Sequence, residues 1–357
     1  MIPPGEPIFA PTPPVRPKPR RGFTFRFIAI GLIVSLLMAA AAAAFIYWRY
    51  IRYERVAARH IPPDSVAAVR VDVEQVVLYE PVRRHLLPLV DDLGDAAKQP
   101  AVAPRLKRIQ QYSGIELGVD LREIVLARAE RTSDWVVVLG GKFPKKDVLS
   151  GLAKMFAEEG QPWQLSADGR ALVSAAGMAL GQASDGSLIL ASTLARLESA
   201  RPAQATDQRL GLPLDAAAGF ALQGRLLHDL ATGPVLFVLP ALADLRSIER
   251  VTGGVVLEDA VEVRAELWLQ PAANAEKVRD SVQQVLQHLS SAAGLLPGGE
   301  ALGGQQALAA ARVEAKRPNQ VLIHVPWQRE QLDRAAEFLA ATVRTWVAAS
   351  HLGPSTP

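Results

Sequence analysis

The clearest pattern in the chain is an uninterrupted apolar run over residues 27–48, which contains 22 residues and no charged side chain. At 1.5 Å per helical residue, a helix of this length crosses the ~30 Å hydrocarbon layer of a bilayer with modest tilt. Aromatic residues bracket the run, as they do at membrane–water interfaces: they are Phe23, Phe25, Phe27, Tyr47, Trp48, Tyr50 and Tyr53. The pattern predicts a transmembrane helix over residues 27–48, with the lipid bilayer as its partner.

A cleaved signal peptide is the alternative to an anchor. The shorter run Phe27–Met38 ends in the small residues Ala39–Ala44, where an A-x-A cut is chemically suitable. The uncleaved anchor is favoured because the preceding segment is long and rich in proline, and because the apolar run continues to Trp48 before any charge. A short tail in front of a single span predicts a cytoplasmic N-terminus. The body is therefore expected outside the cytoplasm, in the periplasm of a bacterium with the anchor in its inner membrane.

The N-terminal tail, residues 1–26, carries eight prolines among its first 21 residues together with several basic side chains. Such a segment buries too little apolar surface to fold, so disorder with polyproline II character is expected. Its PxxP spacings would suit an aromatic-lined groove on a cytoplasmic partner. We favour the alternative, a solvated basic tail that sets the membrane topology. Residues 49–60 are a juxtamembrane segment, and residues 348–357 are a second disordered tail.

From Ile61 onwards the pattern is that of a mixed domain. Residues 65–75 alternate valines with Arg70, Asp72 and Glu74, which predicts a half-buried strand with its valine side inward. Helices are expected near residues 76–90 and 102–112. The segments "REIVLARAE" and "DWVVVLGGKF" are then expected to pair as strands, the second of them central because its apolar run is continuous.

The first half closes with one helix, two hairpins and a shorter helix. Pro144 opens an amphipathic helix with one apolar face, made of Val148, Leu149, Leu152, Met155 and Phe156. The pairs Asp168–Gly169 and Asp185–Gly186 predict the two hairpin turns. The shorter helix is expected near residues 194–200, before a polar linker.

The second half repeats this order. "AAAGFALQG" is an opening strand, residues 226–245 supply helical material, and "RVTGGVVLED" with "AVEVRAELWLQ" form a strand pair. A helix then follows Pro271 with Asn274 as its cap, and its apolar face carries Val278, Val282, Val285 and Leu289. Strands near Ala307–Ala315 and Gln320–Val325 precede a last helix. We predict an α+β fold built from a duplicated unit, repeat 1 over residues 61–205 and repeat 2 over residues 206–347, with antiparallel sheet covered by amphipathic helices.

Charge is divided unevenly along the chain. Residues 1–59 hold nine basic and two acidic side chains, a net charge of +7. The whole chain is +3, which leaves −4 for residues 60–357. A nucleic-acid-binding domain should carry a basic face, so no nucleic-acid partner is expected. The chain has no cysteine, which excludes disulfides, thiolate metal sites, a cysteine nucleophile and a lipidated N-terminal cysteine.

The sequence contains no local signature of an active site. The histidines are scattered without HExxH or HxH spacing, and there is no GxSxG, Walker or Rossmann loop. The six histidines are His60, His85, His228, His288, His324 and His351. We predict no catalytic, cofactor-binding or metal-ligating residue. A dispersed active site leaves no local trace, so an enzyme stays open.

Several polar residues have a structural and a functional interpretation. Asp91–Asp92 and Glu158–Glu159 are neighbours on helices, where adjacent side chains diverge, which favours solvated surface over acid–base chemistry. Asp168 and Asp185 are turn residues before they are calcium ligands, because other carboxylates are missing around them. Trp268 lies on the polar face of its strand and marks either a covered surface or an interface.

The Pro-rich tail, the single span, the opening "IPPDSVAAVRVDV" and the duplicated body resemble a loose group of bacterial membrane-anchored envelope proteins of unknown function. The resemblance implies a binding or scaffold body with a protein partner, and it implies no site residues. Two alternatives stay open. One is a bitopic subunit of a larger envelope machine, such as a secretion, pilus or division apparatus. The other is a membrane-tethered hydrolase with a dispersed site.

Overall fold

The computed structural model describes residues 53–86, 88, 103–130, 134–144, 147–203, 210–230, 240–258, 260–271, 273–293 and 303–351. The chain divides into two compact units, Met1–Tyr53 and Glu54–Pro357, and the fold described below is that of the second. The predicted tail and transmembrane helix, residues 1–48, lie outside the described residues. Within the described ranges, every helix is too short or too polar for a membrane crossing.

Twelve strands in the described part of the chain form one sheet, and every strand pairing is antiparallel. The strands are β1 (Ser65–Asp72), β2 (Leu121–Ala129), β3 (Trp135–Gly141), β4 (Trp163–Leu165), β5 (Ala171–Ser174), β6 (Ala179–Gln182), β7 (Leu188–Ala191), β8 (Ala218–Gln223), β9 (Ile248–Leu257), β10 (Val261–Leu269), β11 (Arg312–Arg317) and β12 (Gln320–Trp327). Their order across the sheet is β11-β12-β10-β9-β8-β1-β2-β3-β7-β6-β5-β4.

Helices fill the connections between these strands. They are α1 (Val73–Leu78), α2 (Glu80–His85), α3 (Ala103–Ser113), α4 (Leu117–Asp120), α5 (Val148–Glu158), α6 (Leu194–Ala200), α7 (Arg225–Leu230), α8 (Ala275–Ala293), α9 (Gly304–Ala309) and α10 (Arg329–His351), with 3₁₀ turns at Ala57–His60 and Pro240–Ser247. The predicted mixed α+β class, with a large antiparallel sheet and helices, is confirmed. Helix α10 runs four residues into the C-terminal tail expected from residue 348.

The two halves of the chain have the same strand order when read outwards from the centre of the sheet. Strands β1 and β8 pair with each other at the centre. From there the first half runs β1-β2-β3-β7-β6 and the second runs β8-β9-β10-β12-β11. The first half then continues with β5 and β4, which have no counterpart in the second half among the described residues. The boundary predicted at residues 205 and 206 lies outside the described ranges.

Apolar side chains are buried on both faces of the sheet. On one face, Val136 and Val138 of β3 pack with Leu197 of α6 and with the turn at Ala57–His60. On the other face, α3 and α5 cover the outer strands of the first half. Helix α8 covers that same face in the second half, where Val278 and Val282 pack on β9, β10 and β12. The Asn274 side chain caps α8 by accepting hydrogen bonds from Glu276 N and Lys277 N, as predicted.

Strand β1 has the predicted period but the opposite orientation. Arg70 is fully buried and Asp72 is buried, whereas Val69 is 41% exposed. The prediction of a buried valine side was therefore wrong. The physical reason is that acidic and carbonyl groups surround Arg70 and accept hydrogen bonds from it. A buried charge is tolerated when it is paired and hydrogen-bonded in this way. Apart from Asp72, these partners come from distant parts of the chain, so no local pattern predicts them.

Two further expectations on single elements were wrong. The stretch predicted as a strand near Ala307–Ala315 begins as helix α9, and β11 starts only at Arg312. Alanine is a strong helix former, and the buried Ala307 packs within α9. Leu289 was placed on the buried side of its helix but is exposed, whereas the next residue, Ser290, is buried and donates a hydrogen bond to the Gln305 carbonyl.

Candidate functional site

A cleft of about 530 Å³ opens at one end of the second half of the sheet. We call it the Trp268 cleft. It is lined by Gln223, Arg225, His228, Arg250, Trp268 and Asn319, among other residues. These come from β8, α7, β9, β10 and the β11–β12 turn. Its volume lies within the range of small-ligand and peptide pockets.

In the Trp268 cleft, the guanidinium group of Arg250 stacks on the ring of Trp268. Arg250 and Trp268 lie opposite each other on β9 and β10, and the guanidinium carbon is 5.2 Å from the centre of the indole ring. This is the geometry of a cation–π contact. The residue Gly211 has a φ of +65°, and a Cβ there would be 3.4 Å from Arg250 Nη1. The close approach of the Gly211 backbone and the stacking on Trp268 together hold the Arg250 side chain in place.

One wall of the cleft is α7, which begins directly after β8. Gly224 makes this tight passage feasible, because a Cβ on it would lie 1.7 Å from the Ile248 carbonyl oxygen. The first residue of the helix, Arg225, pairs with Glu130 at 2.9 Å. His228 Nε2 is buried and has no hydrogen-bond partner among the described residues. The cleft thus combines an aromatic surface, two cations, the Glu249 carboxylate and neutral polar groups, which suits binding.

A buried charge cluster lies at the centre of the sheet, which we call the Arg70 cluster. Arg70 donates from Nε to Glu123 at 2.5 Å, from Nη1 to the Ala216 carbonyl at 3.0 Å and from Nη2 to Asp72 at 3.2 Å. Asp72 also pairs with Arg55 at 2.8 Å. Gly219 on β8 lies opposite Arg70 on β1, and its missing side chain leaves room for the Pro213 carbonyl, whose oxygen would lie 2.4 Å from a Cβ there.

The Arg70 cluster holds the entry of the chain into the body. Glu123 accepts a second hydrogen bond from Ala57 N at 3.1 Å, and Arg55 donates to the Leu214 carbonyl at 3.0 Å. Both residues belong to the segment at 54–60 that precedes β1. Buried charges are tolerated when they are paired and hydrogen-bonded. This network meets that condition, and its observable role is to fasten the entry segment to the sheet.

The fully buried His60 is a second residue that holds the entry segment to the body. Its Nδ1 lies 2.8 Å from the Ala200 carbonyl oxygen, and its Nε2 lies 2.9 Å from Asp185 Oδ2. Both neighbours are acceptors, so both ring nitrogens donate only if the imidazole is protonated. Burial alone would lower the pKa of His60, but these hydrogen bonds outweigh it and raise the pKa above 6.5. Burial would raise the pKa of Asp185, but hydrogen bonds from His60 and Ser187 lower it to about 2.

Three residue types of a hydrolytic triad meet here in an order unsuited to catalysis. Asp185 lies between His60 and Ser187, since it accepts from the ring and from the Ser187 backbone N–H at 2.9 Å. In a triad the imidazole must lie between the carboxylate and the nucleophile. His60 and Ser187 are also buried. We assign this group a structural role.

The other polar residues with two interpretations have structural partners. Glu158 and Glu159 both pair with Arg108, at 3.1 and 3.4 Å, and Asp168 accepts hydrogen bonds within its own turn. Three other histidines contact carboxylates or backbone. His85 contacts Asp333 and His324 contacts Glu262, while His288 contacts the Gln284 carbonyl of its own helix. Asp91–Asp92 lies outside the described residues. No group of three or more histidine or acidic side chains that could hold a metal occurs in the described ranges.

Trp268 was predictable from the sequence as a candidate surface residue, whereas the roles of Arg70, Glu123, His60 and their partners were not. Trp268 was visible because a large aromatic stood in a row of polar residues on one strand. The others were hidden because their partners are distant in sequence. Arg70 and Glu123 are 53 residues apart, and His60 and Asp185 are 125 apart. Even the alternation of charges along β1 could not indicate which side faces inward.

No protein-family model matches this chain. No curated protein matches it either. It is similar to two solved structures, crystal forms I and III of TP0453, with 10% and 8% sequence identity and TM-scores of 0.41 and 0.42. Each comparison covers 83% of this chain and 99% of the other. At these TM-scores we draw no argument from the likeness.

Proposed function

We propose that this chain is a single-pass, membrane-anchored protein of the bacterial cell envelope. Residues 27–48 form its uncleaved anchor, and its body outside the cytoplasm is a binding or scaffold module. The body arose by duplication of an α+β unit. The shared strand order of the two halves supports that origin, because sequential packing of two like units around β1 and β8 accounts for it.

The observation that carries the binding role is the Arg250–Trp268 stack in the Trp268 cleft. Tryptophan and arginine are enriched among the residues that dominate binding energy. Here both are partly exposed and held in one geometry by neighbouring strands. A partner that covers them therefore loses little side-chain entropy on binding.

The scaffold role is supported by the way in which the entry segment is fixed. From Arg55 to His60 the chain is fastened to the sheet by the Arg70 cluster and by the His60–Asp185 pair. The body therefore holds its own N-terminal segment rigidly as part of its fold. A tethered module that presents a binding surface benefits from such an attachment.

Site-specific photo-crosslinking in the native host tests the binding role. A photoreactive amino acid is placed at Gln270, which is exposed and lines the cleft, and, as a control, at Lys154, which is exposed on α5. We expect a discrete protein adduct from position 270 only. The substitution Trp268→Ala should weaken that adduct strongly, since loss of a hot-spot side chain costs about 2 kcal/mol or more, roughly 30-fold in affinity.

Two outcomes would count against the binding role. One is an adduct pattern that is the same from positions 270 and 154. The other is an adduct from position 270 that Trp268→Ala leaves unchanged. A subunit of a larger envelope machine is the second candidate, because β11 has a strand neighbour on one side only among the described residues. That candidate predicts adducts with several proteins that remain associated after mild detergent extraction.

A further inference from the structure

The two halves of the sheet end differently. In the first half, β6 is followed by β5 and then β4, so its outer edge is paired. The equivalent strand of the second half, β11, pairs with β12 on one side, and no strand covers its other side among the described residues. Alternate backbone N–H and C=O groups on that side therefore face outwards, as on any edge strand.

The side chains of β11 have a distinct charge pattern. Arg312, Lys316 and Arg317 are exposed and basic, and Glu314 is the single acidic residue of the strand. Val313 and Ala315 alternate with them and pack towards α8. One side of the edge is thus predominantly basic and the other is apolar. An added strand would match it with acidic side chains on one side and apolar ones on the other.

A second copy of the chain is a less suitable occupant of this edge than an acidic segment. In the register that places Glu314 opposite its own copy, two antiparallel β11 strands bring Arg312 opposite Lys316, and like charges directly opposite each other are destabilising. Exposed basic residues on an edge are a recognised protection against self-pairing. The same charges attract an acidic chain and steer its approach.

The surroundings of β11 favour the same kind of occupant. A cleft of about 570 Å³ lies at the end of the strand, lined by Asn274, Glu276, Lys316 and Arg317, among other residues. Glu276 is paired with Arg279 within α8, so its charge is compensated. The amino end of the 19-residue helix α8 adds partial positive charge there. The β11–β12 turn then leads to Asn319, which lines the Trp268 cleft.

We propose that β11 binds an extended acidic segment of a protein partner as an additional antiparallel strand. This inference rests on the binding role proposed above and names the chemistry of its partner. Backbone hydrogen bonds to β11 supply the affinity, and the basic side chains select the acidic segment. The added strand takes the place that β5 occupies in the first half.

The test measures fluorescence anisotropy of labelled peptides added to the purified full chain in detergent. The first probe is a seven-residue peptide of alternating Glu and Val. The second replaces Glu with Lys. The third is the Glu–Val peptide N-methylated at every residue, which keeps the charge but removes the backbone donors from both edges of the strand.

We expect saturable binding of the Glu–Val peptide, at least about tenfold weaker binding of the Lys–Val peptide, and loss of binding on N-methylation. The double substitution Arg312→Glu and Lys316→Glu should reverse the preference between the first two peptides. The control Lys154→Glu makes a charge change at a distant exposed site and should leave it unaltered. Circular dichroism checks that each variant is folded.

The inference is overturned if the Glu–Val peptide does not bind, or if its N-methylated form binds equally well, since charge alone would then explain the contact. It is also overturned if the charge reversal leaves the preference unchanged. None of these results bears on the adduct from position 270, so the failure of this inference and that of the proposed function are distinguishable.

Discussion

Arg70 shows how little a single residue's character predicts its environment in this protein. It is charged, yet fully buried, and each of its three guanidinium nitrogens donates a hydrogen bond. The period-2 pattern of β1 was predictable from the sequence, because it depends on neighbours in the chain. The inward direction was not, because it depends on Glu123 and on the Ala216 carbonyl, which arrive only with the tertiary fold.

Removing one charge from this cluster should destabilise the body strongly. In Glu123→Gln, the carboxylate that makes the shortest hydrogen bond with the buried Arg70 loses its charge. Ala57 N loses a charged hydrogen-bond acceptor at the same time. Breaking a buried ion pair costs about 3–5 kcal/mol of unfolding free energy. Urea denaturation of the purified full chain, followed by circular dichroism, measures the loss.

Glu158→Gln is the matched control for this prediction. Glu158 pairs with Arg108 on the surface, where ion pairs contribute little, so its loss should be much smaller. Equal losses of unfolding free energy in the two variants would contradict the prediction, because the buried Arg70 cluster would then stabilise the body no more than a surface ion pair does.

At the scale of elements, the order of strands and helices followed closely from local patterns. The paired strands β2 and β3, the hairpin turns at Asp168 and Asp185, and helix α6 all lie where periodicity and turn residues predicted them. The errors fall where tertiary contacts or helix propensity prevailed over pattern, as in α9. The way in which elements are fastened together was not predictable, and His60 is the clearest example.

His60 links the entry segment to the β6–β7 turn and to the end of α6, and this link should depend on pH. The pKa of His60 is raised in the folded protein, so its stabilisation is complete below the unfolded value of about 6.5 and is lost as pH rises through the folded pKa. Asp185 contributes in the opposite sense: its stabilisation is complete above 3.8 and is lost as pH falls through about 2.

The expected result is a lower urea midpoint for the native sequence at pH 9 than at pH 6. The groups that act on the His60 ring are the Asp185 carboxylate and the backbone of Ala200 and Arg201. His60→Gln should have a lower midpoint at pH 6 and a smaller change towards pH 9. If its midpoint falls as much as that of the native sequence, another group is responsible for the pH dependence.

At the scale of the whole molecule, the sequence indicated an antiparallel α+β body but not the continuous sheet. The two halves share one sheet because β1 pairs with β8, strands that are separated by more than a hundred residues. Pairings of this kind leave no local signal, whereas the hairpins between neighbouring strands do. The continuous sheet in turn creates the Trp268 cleft, and it leaves β11 at one edge of the sheet in the part of the chain that the structure describes.

The central claim is that residues 27–48 tether this body outside the cytoplasm. It is tested most directly by fusing alkaline phosphatase, which is active only outside the cytoplasm, after Pro357 and measuring its activity in fractionated bacterial cells. A fusion after Arg26, before the span, is the inactive control. We predict phosphatase activity in the membrane pellet, on a fusion that retains the full N-terminus. An inactive fusion would contradict the proposed topology, and activity in the soluble periplasmic fraction would contradict the anchor.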